Sequence, residues 1–143
     1  MVDLLDVNVW LALGAQGHVH HARARRYWDT EAADELAFCR VTSLGLLRLL
    51  SNSQALGAAA LDGEAAWRAL GIWQANSRVV VLDEPQGLEE ILRHWAASLD
   101  VRGRHWTDAY LASFATAGGA RLVTFDSDFD RYPGLSVLQL NAG

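Results

Sequence analysis

Four short apolar runs punctuate the chain, at residues 2–5, 36–41, 79–82 and 121–125. Each is rich in Val, Leu or Phe, the pattern of a strand covered on both faces. Between and after them, residues 7–15, 19–33, 44–50, 64–75, 88–99 and 108–117 have helical character. Strands alternating with helices predict right-handed crossovers and an α/β fold around a mainly parallel sheet of four to five strands. Residues 136–140 are the candidate for a last, short edge strand. Local punctuation agrees. Thr107 can N-cap a helix opening at Asp108, which puts an acid in the favourable first turn. Gly118-Gly119 ends that helix, and the alanine-rich stretch 57–63 reads as a joint between two helices. There is no internal repeat and no linker, so residues 1–143 are expected to form one domain.

Composition narrows the class. Of the 143 residues 51% are hydrophobic and 20% charged, which excludes a disordered tail. A single cysteine, Cys39, excludes an internal disulfide and any multi-cysteine zinc module. Lying inside the run at 36–41, it reads as a buried small hydrophobe. The start is acidic where a signal peptide would be basic, and no apolar run approaches the roughly 20 residues of a membrane span. A cytoplasmic globular protein without membrane contact is the expectation. The net charge of −5 argues against a sequence-blind nucleic-acid binder. It leaves a nuclease open, because a metal site is itself built from acids. All 12 positive residues are arginines, which reads as compositional bias.

Three acids sit at special places. Asp6 follows the first strand run and Asp126 the last long one, while Asp108 opens the helix that leads into that same strand. In an open parallel sheet the carboxyl ends of the strands share the rim where ligands bind. Asp6 and Asp126 therefore face one rim, and Asp108 joins them if its helix begins close enough. Two carboxylates about 5 Å apart repel by roughly 3 kcal/mol at an effective dielectric near 20. Such a cluster protonates, splays apart or binds a cation. Oxygen ligands favour Mg²⁺ or Mn²⁺, an ion that can grip a phosphodiester oxygen and acidify water. Taken singly, each acid reads equally well as a helix or turn cap.

Leu4-Leu5-Asp6-Val7-Asn8-Val9, Thr107-Asp108-Ala109-Tyr110-Leu111 and Leu122-Val123-Thr124-Phe125-Asp126 resemble the three acidic blocks of PIN-domain ribonucleases, in order and in spacing. The segment 38–49 is similar to the VapC toxin branch of that family. The resemblance spans almost the whole chain. It implies a PIN-like α/β/α sandwich and a toxin that cleaves RNA endonucleolytically, using Mg²⁺ or Mn²⁺ to activate water. It also implies a VapB-type antitoxin and a homodimer. Asp6, Asp108 and Asp126 would be the catalytic, metal-binding acids, with Asn8 and Thr124 as supporting polar residues.

There is one departure. Many relatives carry a glutamate in the helix after the second strand, where this chain has Gly45. Asp128 is the stand-in, or alternatively a turn-forming aspartate. Arg102, Arg104 and His105 precede Asp108 and suit phosphate contacts, and Trp106 suits base stacking; a solvated loop is the plain alternative. Arg23, Arg25 and Arg26 form a second basic cluster. His18, His20 and His21 suggest zinc, but without a second ligand cluster they read as capping or packing residues. Trp28, Trp67, Trp73 and Trp95 are expected to pack in the core or a subunit interface, and Trp10 beneath the site.

Two other functions compete. Gly45 is compatible with a catalytically weakened PIN-like module that binds RNA or protein without cleaving. Asp6 after the first strand also suits an aspartyl nucleophile for phosphotransfer, but that chemistry wants a basic partner, usually lysine, and the chain has none.

Overall fold

The computed structural model describes residues 1–141. Among them, strands β1 (Val2–Leu5), β2 (Glu35–Phe38), β3 (Val79–Val81), β4 (Arg121–Thr124) and β5 (Val137–Gln139) form one sheet. Its order is β3-β2-β1-β4-β5 and every pairing is parallel. The fifth strand expected at the edge is there, against β4. Helices cover both faces, as strands this apolar require. On one side lie α1 (Val7–Gly14), α2 (His21–Thr30), α3 (Arg40–Leu50) and α5 (Gly63–Gln74), with α4 (Ser53–Leu56) and a 3₁₀ turn at Gly57–Ala59 forming the joint before α5. On the other lie α6 (Leu88–Ser98) and α7 (His105–Gly118).

The two-residue period of β1 divides the core. Leu4 packs with Leu88, Trp95, Leu111 and Phe114 of α6 and α7. Leu5 points the other way, into Val9, Trp10, Tyr27 and Leu46 of α1 to α3. Trp10 stacks on Phe38 at 4.0 Å between ring centroids, and so packs beneath the rim as expected. Asp3 shares the Leu5 face and is fully buried. Arg121 donates to both of its carboxylate oxygens, at 2.8 and 2.9 Å, and the Tyr27 hydroxyl and Ala33 N–H donate to it as well. This bond set locks β1, β4 and α2 together.

Two boundaries and the placement of one tryptophan refine the sequence expectation. The second strand stops at Phe38, because Cys39 turns away as the N-cap of α3 and its N–H donates to the Thr42 hydroxyl at 2.9 Å. Cys39 is buried, but as a cap and not as a strand residue. Thr107 is not an N-cap: α7 opens three residues before Asp108, at His105, because Gly103 at φ +55° turns the chain into the helix. Trp67 is 62% exposed on α5, so of the two packings expected of the helical tryptophans it does not take the core one.

Candidate active site

The order of the strands decides where the rim opens. From β1 the chain steps outward to β2 and β3, then returns to the other side of β1 for β4 and β5. The switch falls between β1 and β4, and the carboxyl ends of those two strands form a crevice there. Asp6 is the first residue past β1, and Asp126 lies two past β4.

Asp6 is held in place. Its Oδ1 accepts the N–H of Val7 at 2.8 Å, which caps α1, and its Oδ2 accepts the Thr124 hydroxyl at 2.8 Å. The same hydroxyl oxygen accepts the N–H of Asp126 at 3.0 Å, so buried Thr124 ties the two acidic segments together. Asp126 caps the 3₁₀ turn Ser127–Arg131 by accepting the N–H of Asp128 at 2.8 Å. Asp108 projects from the first turn of α7, made available by the early start of that helix. All the acids named by the sequence thus reach one rim, and each cap reading holds for Asp6 and Asp126 alongside the clustering.

Electrostatics show the crowding. Burial pushes the Asp6 carboxyl above its ordinary 3.8, with the Asp126 charge adding to the rise, while the Thr124 and Val7 bonds oppose it. Asp108 is pushed up to about 6, first by burial and then by the charges of Asp6, Asp126 and Asp128; His105 pulls the other way. Like charges that raise one another are relieved by a cation. Among the described residues, the ligand atoms of His105, Asp108 and Asp128 lie within 4.8 Å of one another. The donor set therefore fits a divalent ion.

Two clefts flank the acids. One, of about 260 Å³, is lined by Asp6, Val7, Gly45, Arg48 and Thr107. Gly45 does face the site, and a Cβ there would stand 2.7 Å from Val7 Cγ2, so glycine permits a close approach of α3 to α1 and supplies no ligand. The other, of about 380 Å³, is lined by Asn8, His18, His20, Phe125 and Asp126. His20 stacks on Phe125 with centroids 4.6 Å apart, and the His21 ring pairs with the Ala12 carbonyl at 2.7 Å. Arg48 and the histidine stretch beside these acids were beyond sequence reasoning, because no spacing along the chain relates residue 48 or 20 to residue 126. Of the expected phosphate contacts, Arg102 lies in an exposed ion pair with Asp100 at 2.9 Å, Arg104 is at the N-cap of α7, and Trp106 is 46% exposed.

The profile of the family described as PIN domain matches residues 4–135. The chain belongs to the PIN domain family. Ribonuclease VapC41 of Mycobacterium tuberculosis is 42% identical to this PIN domain over 139 residues, covering 94% of this chain and 95% of the relative. Among solved structures, VapBC2 from Rickettsia felis, bound to a promoter DNA fragment, superposes with a TM-score of 0.71 at 19% identity, covering 99% of this chain and 100% of that one. Mycobacterium tuberculosis VapC20, a toxin that cleaves the sarcin–ricin loop, superposes with a TM-score of 0.69 at 24% identity, covering 94% and 98%. At those identities the two structures support the PIN fold. No helix among the described residues is long and apolar enough to cross a membrane.

Proposed function

We propose that this PIN domain is a metal-dependent endoribonuclease, the toxin of a VapBC-type toxin–antitoxin pair, working in the cytoplasm as one domain. The observation that carries the reading is the convergence of Asp6, Asp108 and Asp126 at the β1–β4 switch point, where the charges of Asp6 and Asp126 raise Asp108 and that of Asp126 raises Asp6. The ribonuclease VapC41, at 42% identity over nearly its whole length, supports it.

Asp6, Asp108 and Asp126 would hold Mg²⁺ or Mn²⁺, with Asp128 beside them. When bound, such an ion polarises the scissile phosphodiester and lowers the pKa of water. The chain itself supplies position. Thr124 and the Val7 N–H fix both oxygens of Asp6 in place. Asn8, exposed, offers a polar contact in the cleft it lines with Asp126, apart from the cleft that Gly45 lines. Arg104 and Trp106 provide a phosphate contact and a stacking face at the start of α7. The partners are an RNA substrate, a VapB-type antitoxin and a second copy of the chain.

The test is cleavage of a mixed cellular RNA pool by wild type and Asp6→Asn at matched metal. Fragments should appear with Mg²⁺ or Mn²⁺ and vanish with chelator or in the variant. Fragments that persist in a folded Asp6→Asn protein would sink the mechanism. One observation favours a second reading, an RNA- or protein-binding module: the fourth acid is replaced by a glycine packed against Val7. A folded wild type that shifts RNA mobility without shortening it would establish that alternative.

A further inference from the structure

His105 and Asp108 stand three residues apart in the first turn of α7, so both leave the helix on one face. Asp128 reaches the same place from the 3₁₀ turn after β4. One imidazole nitrogen and two carboxylate oxygens thereby come within 4.8 Å of one another. Donors around one six-coordinate ion, with bonds of about 2.1 Å, stand roughly 3 to 4 Å apart, so small rotamer changes close the site. Among the described residues, no hydrogen bond or ion pair occupies the His105 ring or the carboxylates of Asp108 and Asp128. Asp6 and Asp126 differ in this respect, since both accept bonds from the protein.

We propose that His105, Asp108 and Asp128 form a cation site with one nitrogen and two oxygen donors, and that His105 makes it select first-row transition ions over Mg²⁺. Mg²⁺ takes oxygen ligands and keeps its waters, whereas an imidazole adds affinity for softer divalent ions. The position of the site complements the departure on α3. Gly45 offers no donor on that side of the rim, and His105 offers an extra one from α7. The inference rests on reading this rim as the metal-binding rim of the proposed nuclease, and assigns His105 to the ion instead of to RNA phosphate.

The experiment compares wild type with His105→Ala by titration calorimetry, using Mn²⁺ and Mg²⁺ as separate probes, and by pulsed EPR of the Mn²⁺-loaded proteins. The substitution should weaken Mn²⁺ binding at least tenfold, since even an outer-shell partner is worth that much to a metal site. Mg²⁺ affinity should change less than about threefold, there being no oxygen ligand lost. A ¹⁴N hyperfine coupling should be present in wild type and absent in the variant. Circular dichroism establishes that the variant is folded. Equal Mn²⁺ affinity in the two proteins, a coupling that survives in His105→Ala, or no coupling in wild type would each overturn the proposal. RNA cleavage followed in parallel separates the two readings. Cleavage without nitrogen coupling refutes the His105 site and leaves the nuclease standing; coupling without cleavage does the reverse.

Discussion

Replacing Asp108 with asparagine should make the metal-free protein more stable while abolishing its use of metal. The carboxyl titrates near 6 in the folded chain against an ordinary 3.8, a gap of about two units. A unit corresponds to about 1.4 kcal/mol, so full burial would make the ionised group cost about 3 kcal/mol. Asp108 is only half-buried, and solvent screening brings the figure down to about 1.5 kcal/mol. For a chain of this length that is a rise in Tm of about 5 °C. The pH dependence has a definite sign. The folded state holds the proton more tightly than the unfolded state, so wild type loses stability as pH climbs from the unfolded value through about 6. The Asp108→Asn side chain carries no such charge, and the gap between the proteins should therefore be small at pH 4.5 and fully open at pH 7.5. Thermal melts of both proteins in chelator at those two pH values measure it. Excess Mn²⁺ should then reverse the order, because an ion at a hundred times its Kd adds about 2.7 kcal/mol to the protein that binds it. A variant that melts no higher than wild type at pH 7.5 in chelator, or a gap independent of pH, would refute the account of crowded charge.

Other perturbations test the remaining parts. Arg121→Met leaves Asp3 buried without its cation and should cost about 3–5 kcal/mol in urea unfolding. Thr124→Val keeps the shape of the side chain but removes the hydroxyl that holds the Asp6 carboxyl down, so the acidic limb of the rate profile should move to higher pH. Gly45→Glu restores an acid facing the site but forces Val7 aside, and should destabilise by about 1–3 kcal/mol. Adding Val7→Ala should recover part of that loss, which a double-mutant cycle of melting temperatures would detect.

The parallel sheet was legible because its strands are buried on both faces and therefore read as unbroken apolar runs. Asp6 and Asp126 were legible because they follow such runs directly, and strand ends are the places where a parallel sheet presents ligands. What lay hidden depended on contacts between distant segments or on turn geometry. An apolar run does not reveal that Cys39 leaves the sheet to cap α3, since Val41 is as apolar on a helix as on a strand. The sequence alone points to a later start of α7 because Thr107 is a good cap in isolation, whereas Gly103 at positive φ sets the actual entry. That displacement puts His105 inside the helix, one turn before Asp108. The buried Asp3–Arg121 pair joins residues 118 positions apart, and no local pattern announces it.

The position of β1 between β2 and β4 bears on how the molecule is made. Asp6 is synthesised 118 residues before its hydroxyl partner Thr124, and the neighbouring Asp126 comes later still. Until β4 docks, β1 has a bare edge, Asp3 lacks its arginine and the rim lacks half its acids. Such long-range closure is a late and cooperative event in folding. A product truncated before residue 121 lacks β4, the Thr124 hydroxyl that holds Asp6, and Asp126 itself, and so carries no assembled rim.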